Sequence, residues 1–390
     1  MVDVVVIRRY RALRDVRFAP KQLTLITGAN GTGKSSLYRA LTLLQRAATG
    51  GLGLAIAEEG GLGSITWAGT GVAEGQAAKR AGREIQGAAH GAGSSVTFGM
   101  HAEGLGFELE VGIPTFVPKS RSAFNFDPGV VQESLWVGDK RDRHTTCMQR
   151  KGPGAQCFDL DRKPYLFSDL LMTESVLSAL REPHRLPELH LFREHLLSLR
   201  FYDGFRVDAQ SPLRRPTIGV RSTSLTADGA NIAACVQTIL EVGDDRGFRD
   251  AVREALGTEV EVLVTEGPRF EIATRVEGLL RPLRAHELSD GTLRYLALVT
   301  ALFAPRSPAV AVFNEPESSL HPSLLEPLGH AIVRAARYSQ IWVVTHSEVL
   351  ARVLRAAEDM PLADVVLERS DDGATRIRDQ RLLDLPSWPE

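Results

Sequence analysis

Cysteine is scarce in this sequence. Only Cys147, Cys157 and Cys235 occur among 390 residues, and no two of them have the CxxC spacing. An odd count at irregular spacing argues against a disulfide framework, and the lack of a CxxC pair argues against a zinc site. Thiols of this kind are typical of a reducing compartment, so we expect a cytoplasmic protein.

Long apolar runs are also lacking. The sequence contains no stretch of about 18 apolar residues, which is the length that a membrane-spanning helix needs. We therefore expect no membrane-spanning segment. The short apolar run in MVDVVVIRRYRALRD has no small-residue cleavage site after it, and we interpret it as a strand and not as a signal peptide.

An excess of charge of one sign is absent as well. The 46 Lys and Arg residues are balanced by 48 Asp and Glu residues, which gives a formal net charge of −2. The chain as a whole is therefore not a polycation. Any surface for nucleic acid must be a local patch.

Regular patterns of secondary structure begin at the N-terminus. Two or three strand patterns open the chain, and the last of them covers Leu23–Thr27. The following segment predicts a helix, because its apolar residues have the i, i+3, i+4, i+7 spacing of one buried face, namely Leu37, Ala40, Leu41 and Leu44.

The next part of the chain has weaker patterns. A segment rich in Gly and Ala predicts a mobile loop over roughly residues 70–93. The stretch SVTFGMHAEGLGFELEVGI predicts an antiparallel hairpin that turns near Glu103–Gly106. Residues 114–170 show no regular pattern, and we expect them to be irregular.

Helix and strand patterns resume after residue 170. Residues from Thr173 to Tyr202 look helical, with interruptions at Pro183 and Pro187. A helix face follows in NIAACVQTIL, and strands follow in VEVLVTEGPRFEIATRV. The last part of the chain alternates strands and helices: the strand AVAVFN, a helix from about Pro322, the strand QIWVVTH and a second helix, followed by a DDG hairpin. This alternation is typical of a parallel βαβ sheet.

One motif predicts a nucleotide site. GANGTGKSS satisfies G-x-x-x-x-G-K-[ST] at Gly28, Gly33, Lys34 and Ser35, between a predicted strand and a predicted helix. Glycines let backbone N–H groups surround a phosphate, Lys34 would bridge the β- and γ-phosphates of ATP, and the Ser35 hydroxyl would bind Mg²⁺. We therefore assign ATP binding to a run of adjacent residues, namely Asn30, Gly31, Thr32, Gly33, Lys34, Ser35 and Ser36.

Three later segments have side chains that suit the same chemistry. ELSDGTLRYLAL predicts a helix that begins at Ser289, with a face of Leu293, Leu296, Ala297 and Thr300. AVAVFNEPESSLHP is a strand that ends in an acidic turn, and QIWVVTHS is a strand that ends in His346. Each segment alone is common, since SDG often caps a helix and a histidine after a strand is usually structural.

In this order behind a P-loop, the three segments resemble the ABC-type ATPases, which have LSGGQ, DEPTSALD and a switch histidine at these places. The resemblance implies that Ser289, Asp290 and Gly291 contact the γ-phosphate held by a second subunit. It also implies that Glu315 is the general base and that His346 senses the γ-phosphate. Ser318 to His321 would take the place of the D-loop. Two heads would then enclose two ATP molecules, so we expect an ATP-dependent homodimer.

Two positions depart from the ABC pattern. Asp290 replaces a glycine of the signature, and Asn314 replaces the Walker B aspartate. The resemblance implies that this position reaches Mg²⁺ through a bound water, and an asparagine carbonyl still accepts a hydrogen bond from that water. Glu315 keeps its role as base, so we expect slow ATP hydrolysis.

The spacing of the motifs indicates the branch of the superfamily. Ser289 follows Lys34 by 255 positions, whereas in transporter heads the signature follows the P-loop much more closely. The opening IRRYRALRDVRF and LTLITGANGTGKSSLYRAL resemble the RecF and SMC group. FNEPESSLHP and LSDGTLRYLAL are similar to predicted RecF-like ATPases of the AAA type, in which Asn before Glu-Pro-Glu is usual.

This resemblance covers most of the chain apart from roughly residues 70–93 and 140–165. It implies an α/β fold, an ABC/SMC-type head with a mixed central sheet, an antiparallel β lobe and a helical insertion. As domains, we expect a single head over 1–390, with a P-loop core in 1–60 and 285–390. The β lobe would be 93–113, and the helical or mixed insertion 114–284.

Two functions fit these observations. In the first, ATP closes a dimer over double-stranded DNA during repair or genome maintenance, and Arg214, Arg215 and the stretch from Lys140 to Lys163 are the basic candidates. Mixed charge in that stretch is more typical of a solvated surface. In the second, the chain is an ATP-gated sensor of a defence or toxin system that acts through an effector protein.

Two further residues have open assignments. Arg11 is a candidate for contact with the nucleotide, although a half-buried strand position explains it equally well. Gln210 is the candidate for the glutamine that many relatives place near Mg²⁺.

Overall fold

The computed structural model of the chain describes residues 1–67, 69, 95–113, 128–265, 267–381 and 384–389. The predicted mobile loop, roughly residues 70–93, lies outside the described residues. No helix in the described ranges is long and apolar enough to cross a membrane.

The strands of the described ranges follow one another in chain order. They are β1 (Val2–Tyr10), β2 (Leu13–Phe18), β3 (Leu23–Gly28), β4 (Ser95–Ala102), β5 (Leu105–Gly112), β6 (Gly129–Val137), β7 (Thr146–Lys151), β8 (Gly154–Phe158), β9 (Pro164–Phe167), β10 (Arg200–Tyr202), β11 (Thr217–Ile218), β12 (Glu259–Thr265), β13 (Arg269–Arg275), β14 (Leu283–Arg284), β15 (Val310–Asn314), β16 (Gln340–Val344), β17 (Leu362–Arg369) and β18 (Thr375–Ile377).

The helices are numbered in the same order. They are α1 (Lys34–Thr49), α2 (Leu52–Glu58), α3 (Leu62–Ile65), α4 (Val176–Ala179), α5 (Pro187–Ser198), α6 (Ile232–Val242), α7 (Asp245–Leu256), α8 (Asp290–Phe303), α9 (Leu325–Ala335) and α10 (Glu348–Arg355). Short 3₁₀ turns cover Pro212–Arg214, Ala285–Glu287 and Pro322–Leu324.

The chain, which the resemblance predicts to be a single head, divides into two units. Unit 1 comprises Met1–Pro20, Gly28–Ser198 and Val365–Glu390, and unit 2 comprises Lys21–Thr27 and Leu199–Asp364. The chain passes from one unit to the other before β3, at the end of β3, after α5 and within β17.

Unit 1 contains an antiparallel sheet in the order β2-β1-β4-β5-β6-β7-β8-β9. The predicted hairpin is present, because β4 and β5 pair from Ser95 with Gly112 to Ala102 with Leu105. The turn between them uses the left-handed conformations of Glu103 and Gly104, with φ of 53° and 73°. The predicted helix is α1, and its predicted face is buried.

The prediction of irregular structure for 114–170 was wrong over its described part. β6 to β9 lie there and extend the antiparallel sheet well beyond residue 113. Three of these strands, β7 to β9, have only six, five and four residues, so the alternation of apolar and polar residues is interrupted every few positions. β6 to β8 each pair with the next strand along the chain, and this pairing determines strand formation here more than local propensity does.

A buried ion pair lies on this sheet. Arg150 and Glu133 are fully buried, and the Arg150 Nη1 to Glu133 Oε1 distance is 3.4 Å. Arg150 also donates to the carbonyls of Gly152 and Leu171, and Glu133 accepts from the Ser175 hydroxyl. Burial raises the pKa of Glu133 and lowers the pKa of Arg150. Arg150, one of the basic residues considered for DNA, is therefore internal to unit 1.

Arg150→Met is expected to lower the free energy of unfolding of unit 1 by about 3–5 kcal/mol, because it leaves the Glu133 carboxylate buried without its cation. Urea denaturation followed by circular dichroism measures this loss. Arg143→Met, at an exposed position nearby, is the control and is expected to change stability by less than about 0.5 kcal/mol. Equal stability of the two variants would contradict the assignment of a structural ion pair.

Unit 2 is built on parallel strands in the order β10-β15-β16-β3. Every residue of β15 and β16 is buried, as expected for strands that are covered on both faces. The predicted parallel βαβ arrangement of the last part of the chain is thus confirmed. The prediction of helix up to Tyr202 was wrong at its end, since Arg200–Tyr202 forms β10 and pairs with β15.

Helices α6 to α10 and a small sheet surround these strands in the core of unit 2. The predicted face of α6 contributes Ile232, Cys235, Val236 and Ile239 to that core. The predicted strands at 259–275 are β12 and β13, which pair antiparallel. Helix α8 begins after Ser289, as expected, and its predicted face is buried.

Candidate functional site

The phosphate-loop sequence lies between a strand and a helix, as its chemistry requires. β3 ends at Gly28, and α1 begins at Lys34. Gly28 and Gly33 have φ of 152° and 101°, conformations that favour glycine. A Cβ on Gly33 would lie 2.5 Å from Thr375 Oγ1, and one on Gly28 would lie 2.4 Å from the Leu367 carbonyl oxygen. The loop is therefore a close-fitting backbone turn that only glycine permits at these two positions.

The side chains of the loop are divided between interior and surface. Lys34 is buried, and its Nζ donates to the carbonyls of Gly28 at 2.7 Å and Ala29 at 3.1 Å. The Thr32 hydroxyl donates to the same Ala29 carbonyl at 2.8 Å. Asn30, Gly31 and Ser35 are exposed, and Ser36 is half-buried. The lysine is thus held against its own loop, with the Ser35 hydroxyl accessible at the start of α1.

A residue near the C-terminus supports this loop, and the sequence analysis missed it. The Thr375 hydroxyl donates to the Thr32 carbonyl at 2.8 Å, and the Thr375 N–H donates to the Ala12 carbonyl at 2.8 Å. Thr375 is buried. It therefore fixes the second half of the phosphate loop within unit 1. Its separation of 343 positions from Thr32 leaves no local signal.

Arg11 lies at a strand end and has a defined partner. Its Nη2 is 2.7 Å from Glu59 Oε2, and the Tyr10 hydroxyl donates to the same oxygen at 2.6 Å. Burial and the Glu59 carboxylate raise the pKa of Tyr10. The structure thus places Arg11 in an ion pair inside unit 1, and its contact with a nucleotide stays a prediction.

In unit 2, the carboxyl ends of the parallel strands lie in register. Ile26 of β3 pairs with Val344 of β16, and Val344 pairs with Asn314 of β15. Tyr202 of β10 pairs with Phe313. Residues that follow these strands therefore leave the sheet at one edge, which is where ligands bind in open α/β sheets.

Asn314 has one satisfied and one unsatisfied side-chain atom at this edge. Its Nδ2 donates to Asp203 Oδ1 at 2.7 Å. Its Oδ1 is buried and has no hydrogen-bond partner in the described structure. Asp203 directly follows β10 and was not identified from sequence. An unpaired buried carbonyl is costly, so this oxygen is a candidate acceptor for a ligand.

The acidic turn after β15 has an unusual backbone. Glu315 has φ of 47°, a left-handed conformation that costs a non-glycine residue about 1–3 kcal/mol and is often found at functional sites. The Glu315 N–H donates to the Val344 carbonyl at 2.7 Å. The side chain of Glu315 is 38% exposed, and its Oε1 lies 4.0 Å from His346 Nδ1. The structure therefore brings the predicted base and the predicted switch residue together.

Glu317, which the sequence analysis did not single out, organises the segment with His346. Its Oε1 accepts from the Thr345 hydroxyl at 2.5 Å, from the His346 N–H at 2.9 Å and from the Ser347 N–H at 3.2 Å. His346 Nδ1 is 3.2 Å from the same oxygen. Glu317 is buried, and its Oε2 has no partner in the described residues. The second glutamate of Glu-Pro-Glu thus positions the histidine.

The signature segment forms a capped helix start. Ser289 Oγ accepts from the Thr292 N–H and is the N-cap of α8. Ser289 and Asp290 are exposed, and Gly291 is half-buried. The start of α8 suits a phosphate, because a helix N-terminus combines backbone N–H groups with the positive end of the helix dipole.

Asp290, which departs from the glycine of the ABC pattern, has a partner in the structure. Arg214 Nη2 donates to Asp290 Oδ1, and Arg214 Nη1 donates to the carbonyls of Ala285 and Leu288. The side chain of Arg214 is only 12% exposed. Arg214 therefore holds the signature segment from within unit 2 and is not a free cation at the surface, whereas its neighbour Arg215 is exposed.

A second arginine connects the signature helix to the acidic turn. Arg294 of α8 donates to the carbonyls of Ser318 and Phe205. Ser318 belongs to the segment that the resemblance equates with the D-loop. Gln210 is exposed, and its backbone N–H donates to Asp208, so its assignment near Mg²⁺ stays a prediction.

Each unit offers oxygen donors that suit Mg²⁺. Ser35 in unit 1 offers an exposed hydroxyl, and Asn314 in unit 2 offers a buried carbonyl oxygen without a partner among the described residues. Asp203 offers a carboxylate bonded to Asn314. Hard oxygen donors of these three types are those that Mg²⁺ prefers, so the residues of each unit fit the ion.

Comparisons with known proteins give a family match over part of the chain. Residues 175–352 match the family model described as "AAA domain, putative AbiEii toxin, Type IV TA system". This range contains the signature, the acidic turn and His346. No curated protein sequence matches the chain.

The first of three similar solved structures shows the fold. An SMC head bound to the C-winged helix domain of ScpA has a TM-score of 0.51 at 14% identity, covering 98% of both chains. The SMC head domain from Thermotoga maritima has a TM-score of 0.43 at 12% identity, covering 98% of this chain and 99% of that one. An SMC head domain from Pyrococcus furiosus, bound to the C-terminal domain of ScpA, has a TM-score of 0.47 at 12% identity. The match covers 96% of this chain and 95% of that one.

The family match and the SMC head with a TM-score of 0.51 support the resemblance to SMC- and RecF-like ATPases that the sequence motifs predict. The same SMC head confirms the α/β head fold expected from the sequence.

Proposed function

We propose that this chain, which has the fold of an SMC-type ATPase head, hydrolyses ATP with Mg²⁺ and works as a switch that ATP closes. The main observation is the arrangement of Glu315, Glu317 and His346 at the carboxyl edge of the unit 2 strands. A carboxylate there lies beside a histidine that a second, buried carboxylate holds in place. A purely structural turn would need neither the exposed glutamate nor its left-handed backbone.

In this proposal, each side chain has one task. In unit 1, the backbone N–H groups of the phosphate loop and Lys34 would bind the β- and γ-phosphates, and Ser35 would bind Mg²⁺, which supplies positive charge to the phosphates when bound. In unit 2, the Asn314 carbonyl would accept a hydrogen bond from a metal-bound water. Glu315 accepts a proton from the attacking water. Glu317 keeps the His346 segment in position, and His346 responds to the γ-phosphate.

The signature segment supports action as a homodimer. Ser289 and Asp290 are exposed at the start of α8, and Arg214 holds them in a defined conformation. A second copy that bound ATP would supply the phosphate that this helix start suits. The closed state would therefore contain two copies and two ATP molecules.

An effector protein is the partner that we favour. Two of the basic residues considered for DNA, Arg150 and Arg214, are bound to groups of their own unit. The description of the matched family names a toxin of a toxin–antitoxin system. The SMC head of similar fold is bound to a domain of another protein. Both point to a sensor whose ATP state is read by a protein.

DNA is the second candidate partner. Arg215, Lys140, Lys151 and Lys163 are exposed and remain available for phosphate contacts. In this version, ATP closes the dimer over duplex DNA in repair or genome maintenance.

Steady-state ATP hydrolysis by the purified protein tests both versions. We expect a measurable basal rate that depends on Mg²⁺ and does not respond to duplex DNA. A rate that DNA stimulates at low salt, and stimulates less as salt rises, would instead support the DNA version, because phosphate contacts weaken with salt. Absence of hydrolysis under all these conditions would contradict the proposed activity.

A further inference from the structure

Asp203 and Asn314 form a pair that the parallel strands create. Tyr202 and Phe313 are partners in the register of β10 and β15, so the residues that follow them leave the sheet side by side. The Asn314 Nδ2 to Asp203 Oδ1 distance is 2.7 Å. In the described part of the chain, Asp203 has no ion-pair partner, so its charge is not neutralised within unit 2.

The bond to Asp203 determines which way the Asn314 amide points. A carboxylate only accepts hydrogen bonds, so the amide must turn its NH₂ group towards Asp203 and its carbonyl oxygen away. That carbonyl oxygen is the buried atom without a partner among the described residues, and Asn314 as a whole is only 9% exposed. The pair therefore presents an oriented acceptor backed by a negative charge.

A Walker B aspartate combines these two properties in one side chain. Asn314 alone offers the acceptor without the charge. With Asp203 bonded to it, the pair has one amide oxygen and one negative charge, which together match the acceptor and the charge of the aspartate. An amide polarised by a carboxylate is also a stronger acceptor, because hydrogen bonds in a chain reinforce each other.

We infer that Asp203 supplies, through Asn314, the negative charge that Mg²⁺ needs at this edge of unit 2. Asp203 is thus a positioning residue for the metal, and the Asn314 carbonyl is the oxygen that would accept a hydrogen bond from a metal-bound water. This inference rests on the proposed function, since it presumes that the chain binds ATP with Mg²⁺.

The test is the Mg²⁺ dependence of nucleotide binding, measured with a fluorescent, non-hydrolysable ATP analogue. Asp203→Asn is expected to raise the Mg²⁺ concentration for half-maximal binding by about tenfold to a hundredfold, as loss of a residue that supports a metal ligand does. Binding of the analogue in EDTA is expected to stay at the wild-type level. Electron paramagnetic resonance of bound Mn²⁺ provides a second readout of the same site.

The double variant Asp203→Asn with Asn314→Asp separates this role from a merely structural one. It moves the charge to position 314 and keeps an amide next to it, so we expect most of the Mg²⁺ affinity to return. Asp359→Asn removes the same charge from an exposed position of unit 2 and is expected to leave the Mg²⁺ dependence unchanged.

The outcomes are distinguishable. A wild-type Mg²⁺ dependence in Asp203→Asn, or a double variant no better than Asp203→Asn alone, would overturn the inference and leave the proposed function standing. If the wild-type protein bound no analogue at any Mg²⁺ concentration, the proposed function itself would fail.

Discussion

Glu315→Gln is expected to reduce ATP turnover by about 10²–10⁴-fold, the usual contribution of a general base. Glutamine has nearly the same shape as glutamate but cannot accept a proton at neutral pH. The Glu315 backbone, with its N–H on the Val344 carbonyl, is unaffected by the change. ATP should therefore still bind while its hydrolysis stops.

Blocked hydrolysis should also make the closed dimer visible. If ATP joins two heads and hydrolysis separates them, Glu315→Gln with ATP and Mg²⁺ should elute as a dimer in size-exclusion chromatography. Without ATP, it should elute at the same volume as the wild-type protein without ATP. Glu358→Gln, at an exposed position of unit 2, is the control and should hydrolyse ATP normally. A Glu315→Gln protein that binds ATP and remains monomeric would contradict the two-head arrangement.

The local parts of the fold and site were predictable from sequence. The phosphate loop, the N-cap at Ser289 and the helix face of α8 depend on residues within one or two turns of each other. Short-range geometry determines such features: glycine where φ is positive, a hydroxyl at a helix start, and apolar residues at helical spacing. Local patterns therefore located these elements within a few residues.

The partners that complete the site were not predictable in this way. Asp203 is 111 positions from Asn314, and Arg214 is 76 positions from Asp290. Which residue lies beside Asn314 depends on the register of β10, a three-residue strand that the sequence pattern assigned to a helix. An acidic residue after a short, partly apolar segment is too common to identify by itself.

Asn314 illustrates how the structure changes an interpretation. From sequence, this asparagine is a Walker B position that has lost its charge. The structure places a carboxylate on its amide, so the change at position 314 has a neighbour that compensates for it. A single motif position is thus insufficient to decide whether a site of this type is active.

Lys34→Ala is expected to lower the affinity for ATP by at least about a hundredfold, because each hydrogen bond from a charged group contributes roughly 1.5–3 kcal/mol. The lysine ammonium is buried against the carbonyls of Gly28 and Ala29, in a turn whose glycines exclude any larger residue. No other cation of unit 1 is described in contact with these carbonyls. Isothermal titration calorimetry with ATP and Mg²⁺ measures the loss.

The control separates loss of the phosphate contact from loss of the loop. Lys140→Ala removes an exposed lysine of unit 1 and should bind ATP as the wild-type protein does. Thermal denaturation without nucleotide should show that Lys34→Ala remains folded, since α1 is anchored mainly by its buried apolar face. A folded Lys34→Ala protein that kept its ATP affinity would place the phosphate site elsewhere in the chain, and the roles assigned to Ser35 and Asn314 would then lose their basis.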